Sequence, residues 1–388
     1  MTTHPKPAIR PAMPFFSSGP TAKRPGWVPA VLQGAVLGRS HRSKPAKAKI
    51  TQTMDLARQI LRLPDDYLIG VVPGSDTGAI EIALWSMLGA RGVDVLAWES
   101  FGKDWVNDIV NQLQIDKVTV HQAAYGALPD LAAVNFDNDV VLTWNGTTSG
   151  VKLPDGNWIA DDRNGLVIAD ATSACFAMEL PWSKLDVVTF SFQKGIGGEG
   201  AHGVMILSPS AVERLNSHTP SWPIPKLFRL TSKGKFNAAI FNGHTINTPS
   251  LLVIEDALDA LLWAQSIGGL PALIERSDSC LSAIKQWVEA SPNFGFLAQD
   301  PATISNTSVT ISIIDPWFIA LDAEQKSTFA AALAARLAAE EVGYDLASYR
   351  DAPAGLRIWA GPMVDLEDIK SLLPWIDWAY MTERAARF

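Results

Sequence analysis

The chain has 388 residues, 47% of them hydrophobic and 19% charged, with a formal net charge of −8. That balance excludes a disordered chain, and the length suggests two or three domains. Residues 1–50 hold nine Lys/Arg and no acid, leaving 23 Lys/Arg against 40 Asp/Glu beyond them, so a basic head sits on a body at −17 and suits either a nucleic-acid arm or one wall of an anion-binding pocket.

Residues 1–30 carry seven prolines and read as an extended segment. Phe15, Phe16, Trp27 and Val28 are apolar groups that a solvated arm would not need, so the segment is expected to lie across a folded body. No apolar h-region follows a charged start, so no secretory signal is expected. No apolar run reaches the ~18–20 residues of a membrane span. From residue 66 the pattern alternates. Tyr67–Val72 reads as a strand, Gly74–Gly78 as a loop and Ala79–Ala90 as a helix with Ile80, Leu84, Met87 and Leu88 on one face. Val93–Trp98 is a strand, Asp104–Leu113 a helix and Lys117–His121 a strand. Val140–Trp144, Leu166–Asp170, Val187–Phe192 and Gly203–Leu207 follow as strands. Short apolar runs of this kind indicate a largely parallel sheet buried on both faces. Leu251–Ser266 and Asp322–Glu341 are long helices, with strands at Val309–Ile314 and Leu356–Ala360. The whole reads as α/β: a large domain near residues 50–265 and a smaller α+β unit after it.

Cys175 and Cys280 are too few for a disulfide framework and too far apart for a zinc cluster, so no metal is expected and a reducing cytoplasm is the expected setting. The run Gly195–Gly200 matches G-x-G-x-x-G after a strand. A second strand follows it instead of the helix a dinucleotide site requires, so the match is accidental.

Lys194 and Asp170 end two of the strands, where open α/β sheets bind ligands. Alone, each has an ordinary explanation as a surface lysine or a turn cap. Together they suggest a pyridoxal phosphate site, with the lysine joined to the cofactor and the aspartate keeping its ring nitrogen protonated. The loop Gly74–Gly78 could hold a phosphate at a helix N-terminus or be a plain strand-to-helix turn; it lacks the G-K-[ST] ending of a P-loop. The hydroxyls of Asn145–Gly150 could reach a cofactor oxygen or serve the turn itself. Arg39–Arg42 is the densest part of the basic head, and Arg357 is a lone guanidinium in an apolar run that wants a carboxylate or phosphate.

Six motifs occur in order: Phe16–Pro20, Gly38–Arg42, Ala169–Ser173, Ser191–Gly195, Asn247–Pro249 and Gly355–Arg357. Together they make the chain resemble the class V, fold-type-I aminotransferases over roughly residues 14–385. The resemblance implies a large domain with a mainly parallel seven-stranded sheet flanked by helices, plus a smaller α+β C-terminal domain. It divides the chain into an N-terminal segment (1–45), a cofactor domain (46–265) and a small domain (266–388). It implies pyridoxal 5'-phosphate as cofactor, Lys194 as the Schiff-base lysine and Asp170 as the pyridinium partner. Thr147 would contact the phenolic oxygen, and Phe101 would stack on the ring, with Trp105 as its rival. Ser75, Asp76, Thr77 and Gln193 would surround the cofactor phosphate, joined by Asn247 and Thr248 of a second subunit in a homodimer with shared active sites. Arg357 would bind the substrate α-carboxylate, and His41 and Arg42, again from the neighbour, the substrate phosphate. Thr77 stands where many relatives carry an arginine, and Arg350 is the expected compensating cation.

The implied reaction is reversible amino transfer between L-glutamate and 3-phosphohydroxypyruvate, serving serine biosynthesis and, as a second route, pyridoxine biosynthesis. Alanine–glyoxylate or serine–pyruvate transamination is the alternative within the class. A desulfurase would need a mobile nucleophilic cysteine. A nucleic-acid-binding protein using the basic head is the remote alternative, disfavoured by the acidic remainder and the lack of a recognised motif.

Overall fold

A computed structural model describes residues 5–387. Seven strands build the main sheet: β1 (Leu68–Pro73), β2 (Val93–Ala97), β3 (Val118–Gln122), β4 (Asp139–Thr143), β5 (Val167–Asp170), β6 (Val187–Ser191) and β7 (His202–Leu207). Their order is β1-β7-β6-β5-β4-β2-β3. Only β7 runs against its neighbours. The reason is local: a parallel return needs a long crossover, whereas the Gly195–Gly200 run turns the chain straight back. Gly197 has φ +61°, and a Cβ there would lie 2.3 Å from the Ala22 carbonyl oxygen, so the run is built for a tight reversal.

Successive strand residues enter opposite cores, as the two-residue period of a strand requires. Val140, Leu142, Val167 and Ala169 face one apolar cluster, while Val141 and Ile168 face the other. Helices α1 (Lys44–Leu61), α2 (Ser75–Met87), α3 (Ser100–Asn107), α4 (Pro209–Ser217) and α5 (Leu251–Ser266) cover the sheet. α1 and α5 contribute to the first cluster, α2, α3 and α4 to the second. The C-terminal third adds α6 (Leu270–Ala290), β8 (Phe294–Phe296), β9 (Ser308–Ile313), α7 (Ala323–Ala339), β10 (Gly355–Trp359) and α8 (Leu366–Ala385). Its three strands form an antiparallel sheet in chain order. Among the described residues no single helix is long and apolar enough to cross a membrane.

Several elements differ from expectation. α2 starts at Ser75, not Ala79, because Gly74 turns the chain at φ +86° and the helix opens at once. α3 starts at Ser100, not Asp104, capped by the Glu99 side chain, and it continues as a π-helical turn over Asp108–Gln112. α1, α4 and α8 lie in stretches without an expected helix. In α1 a basic, polar sequence hides the inward stripe Ala46, Ile50, Met54, Ala57 and Leu61.

The proline-rich segment lies across the body. Phe16 is fully buried, its carbonyl accepts from the Trp359 N–H at 3.2 Å, and the Thr21 N–H donates to the Gln193 carbonyl at 3.0 Å. Much of the basic head is neutralised there: Lys6 pairs with Glu340, Arg24 with Asp259, Lys49 with Glu255, and Lys23 with both Glu199 and Asp256. Arg39, Arg42 and Lys44 have no carboxylate partner among the described residues.

Candidate active site

The parallel strands bring their C-terminal ends to one edge, and the candidate residues collect there. Asp170 is the last residue of β5, in register with Thr143 of β4 and Thr189 of β6. It is 5% exposed. Its Oδ1 accepts from the Thr172 N–H at 3.0 Å and its Oδ2 from the Trp105 indole N–H at 3.3 Å, so the carboxylate is held in one orientation. Lys194 follows β6, is 8% exposed, and donates from Nζ to the Ser18 carbonyl. Its Nζ lies 5.7 Å above the Trp359 ring centroid. Gly19 permits this approach, since a Cβ there would stand 2.9 Å from Nζ.

Burial, reinforced by the Arg357 charge, pushes the Lys194 amine down to about 8 against the pull of Asp170, Glu99 and Asp76. A neutral amine is the form that attacks a carbonyl or accepts a proton, so this lysine is poised near physiological pH. The rate at which cofactor-free protein captures pyridoxal phosphate should therefore rise with pH and level off above about 8. Visible absorbance after rapid mixing checks this; a rate still climbing at the ordinary lysine pKa would contradict it.

Thr147 is buried beside Lys194's edge of the sheet, its hydroxyl donating to Ser173 Oγ at 2.8 Å. At the start of α2 the Gly74 and Ser75 N–H groups are taken by the Ala201 carbonyl, at 3.2 and 3.3 Å. The Asp76 and Thr77 N–H groups remain as the helix's open donors, where an anion is favoured. The Asp76 side chain does not face such an anion. It turns inward to Asp170, Thr172 and Thr189, and burial followed by the Asp170 charge pushes its carboxyl well up. At Asp76, therefore, it is the backbone N–H and not the side chain that could serve the cradle expected from Ser75, Asp76 and Thr77, since a carboxylate turned to a phosphate would repel it. Gln193 lies one residue before Lys194 with its Oε1 buried and unpartnered.

The two aromatic candidates differ in surroundings. Trp105 is 3% exposed with its indole bound to Asp170. Phe101 is half-buried, 5.8 Å from the Tyr349 ring. Arg357, on β10, also lies against Tyr349, at 5.6 Å. Its Nε is buried without a partner, and burial lowers its pKa. Arg350 is exposed, 3.6 Å from Asp351 and 5.4 Å from the Tyr349 ring. His41, Arg42, Asn247 and Thr248 are not drawn into this cluster. Among the described residues none of them bonds to the groups around Lys194 of its own chain, and Arg42, Asn247 and Thr248 are exposed.

The residues fit pyridoxal phosphate on the structure's own terms. Gln193 Oε1 and Arg357 Nε are buried polar atoms without a hydrogen-bond partner among the described residues. Such orphans are costly unless a ligand meets them. Neither cysteine offers a competing nucleophile: burial pushes the Cys175 thiol well up and that of Cys280 to about 12. Glu99 is the buried acid that the motifs did not single out. Its signal was weak, since glutamate is not among the usual helix caps.

No family model matches the chain. It is 54% identical over 375 residues to a phosphoserine aminotransferase of Methanosarcina mazei, covering 97% of this chain and 99% of that protein. The figure for the phosphoserine aminotransferase of Methanosarcina barkeri is 53%, with the same coverage. Among solved structures, the phosphoserine aminotransferase of Cytophaga hutchinsonii superposes with a TM-score of 0.78 at 22% identity, covering 93% of this chain and 97% of that one.

Proposed function

The chain belongs to the phosphoserine aminotransferase family, and from that premise we propose how its residues divide the work. It is a pyridoxal-phosphate-dependent aminotransferase of fold type I. It exchanges an amino group between L-glutamate and 3-phosphohydroxypyruvate, giving 2-oxoglutarate and 3-phospho-L-serine. The observation that carries the reading is the pair at adjacent strand ends: a buried lysine biased toward its neutral amine and a buried carboxylate fixed by two donors.

When bound, pyridoxal phosphate supplies an aldehyde that joins amines and a ring that takes up the electron pair left by a departing Cα proton. Lys194 would hold the cofactor at Nζ, and its Nζ, when free and neutral, would be the base that moves the Cα proton. Asp170 would set its carboxylate against the ring nitrogen and favour that nitrogen's protonated form. Phe101, half-buried, would cover the ring face, while Trp105 orients Asp170 through its indole N–H. Thr147 would meet the phenolic oxygen. The open N–H groups of α2, with Ser75, Thr77 and Gln193, hold the cofactor phosphate. Arg357, lacking a carboxylate of its own, grips the substrate α-carboxylate. Arg350 stands in for the cation that Thr77 does not provide.

The rest of the site comes from a second copy. His41 and Arg42 bind the substrate phosphate, and Asn247 and Thr248 the cofactor phosphate, across a homodimer. Leu37, four residues before His41, is 52% exposed, which suits a surface covered by a second copy. Residues 46–265 act as the cofactor domain and 266–388 as the small domain. Two buried free thiols support a cytoplasmic setting.

Arg42→Ala tests this division. Losing a charge-assisted hydrogen bond should raise KM for 3-phosphohydroxypyruvate by about 10- to 100-fold and leave the glutamate half-reaction unchanged. Steady-state kinetics with 3-phosphohydroxypyruvate, glyoxylate and pyruvate read both effects. An unchanged KM, or a preference for glyoxylate in the parent enzyme, would remove the phosphate role from the basic head.

A further inference from the structure

Glu99 is fully buried, and among the described residues no cation forms an ion pair with it. Its carboxylate is satisfied by hydrogen bonds alone. Oε1 accepts from the Gly102 N–H at 2.7 Å, and Oε2 from the Thr148 N–H at 3.3 Å and the Thr148 hydroxyl at 2.8 Å. The donors belong to two different elements. Gly102 lies in the first turn of α3, which carries Phe101 and Trp105. Thr148 lies in the turn after β4, which carries Thr147. The fit is close: a Cβ on Gly146 would come within 2.9 Å of Glu99 Cγ.

We propose that Glu99 is a positioning residue for the transamination: its carboxylate clamps α3 to the Gly146–Ser149 turn, so that the groups facing the cofactor from both sides keep one register. The proposal rests on the assignment of the cofactor site to Lys194 and Asp170.

A simple helix cap would explain the Gly102 bond but not the two from Thr148. Thr148 extends the clamp further. Its Oγ1 accepts from the Ser100 N–H at 3.1 Å and lies 3.2 Å from the Tyr125 hydroxyl, which is 2.7 Å from Ser100 Oγ. Ser100 Oγ in turn donates to Asp351 at 3.3 Å, beside Tyr349 and Arg350. The network therefore joins the cofactor's surroundings to the loop that presents the substrate-side cation.

The ionised form is the one that fits. All three neighbours donate, so a proton on Oε1 would face the Gly102 N–H, and a proton on Oε2 would force the Thr148 hydroxyl to turn away. Burial pushes the Glu99 carboxyl up to about 7, opposed by these donors and assisted by the Asp170 charge. The other charged groups within its reach are Lys194 and Arg357, both of which its charge raises. Along the network, Lys103 lies over the Tyr125 ring at 5.4 Å and Asp351 accepts from Ser100 Oγ. The clamp holds above about pH 7 and loosens below it.

The test uses the holoenzyme and two variants, Glu99→Gln and Thr148→Val. The readouts are the pH midpoint of the visible cofactor band, visible circular dichroism, kcat against KM for L-glutamate, and the thermal midpoint. Glu99→Gln keeps the shape but sets an amide donor against an N–H donor and removes a negative charge near Lys194. The band's pH midpoint should fall, by up to about one unit, because the Glu99 charge raises the Lys194 amine and its loss removes that support. Visible circular dichroism should weaken, and kcat should drop ~10- to 100-fold, as misplacement near the reacting atoms produces, with KM little changed. Thr148→Val should weaken the dichroism in the same way, and the double variant should be no worse than Glu99→Gln. The proposal is overturned if Glu99→Gln lowers kcat and the thermal midpoint while leaving band midpoint and dichroism at parent values, or if neither variant alters the dichroism. Should the parent enzyme itself show no cofactor band, the assignment of the site fails, a result separable from failure of the clamp alone.

Discussion

Lys194→Ala is expected to abolish the visible absorbance of lysine-bound cofactor and to lower turnover by at least about 10⁴-fold, since it removes both the covalent anchor and the proton carrier. The neighbourhood provides no substitute. Within the pocket the other basic group is the guanidinium of Arg357, which does not give up its proton at working pH. The alanine leaves Ser18 and Trp359 without the contacts they make to Nζ, but both belong to well-packed segments, so the fold should persist. Absorbance and turnover with and without an added primary amine check the result. An added amine should restore part of the proton transfer and none of the anchorage. A variant that keeps the band and turns over normally would sink the assignment.

The second large effect is expected at Asp170. Asp170→Asn preserves volume and the bond to the Thr172 N–H, but it removes the negative charge that keeps the ring nitrogen protonated. Loss of a preorganised electrostatic partner of this kind costs roughly 10²–10³ in kcat. Cofactor should still bind, because the phosphate cradle and Lys194 are untouched. The substitution also relieves Asp76, whose carboxyl is pushed up partly by the Asp170 charge, so Asp76 should ionise at lower pH in the variant. Turnover and the visible spectrum, measured together, separate the two consequences. A kcat equal to the parent's would show that the ring nitrogen needs no anion here.

Much of the sheet was legible because buried strands advertise themselves as short apolar runs: β4, β5, β6 and β7 fall within a residue or two of expectation. Lys194 and Asp170 were legible for the same reason, standing where those runs end. The helix starts were harder. α2 opens through the backbone geometry of Gly74, and α3 through a glutamate cap, neither of which a period count registers. α1 carries its apolar stripe under a basic, polar surface. Asp76 illustrates a subtler limit: sequence places it in the phosphate loop, yet its side chain turns toward Asp170. Glu99 was missed because its importance lies in the Thr148 contacts, 49 positions away along the chain. The acid-free head shows charge patterning at its most informative. Five of its nine basic residues pair with acids of the body, and those without carboxylate partners cluster around His41, where the substrate phosphate is proposed to bind.

The most direct test is a single-turnover spectrum of the purified holoenzyme. L-Glutamate alone should convert the visible band of lysine-bound cofactor to the shorter-wavelength band of its aminated form, and 3-phosphohydroxypyruvate, not glyoxylate or pyruvate, should then restore it. A band that ignores glutamate, or one restored by glyoxylate and not by the phosphorylated keto acid, would contradict the account.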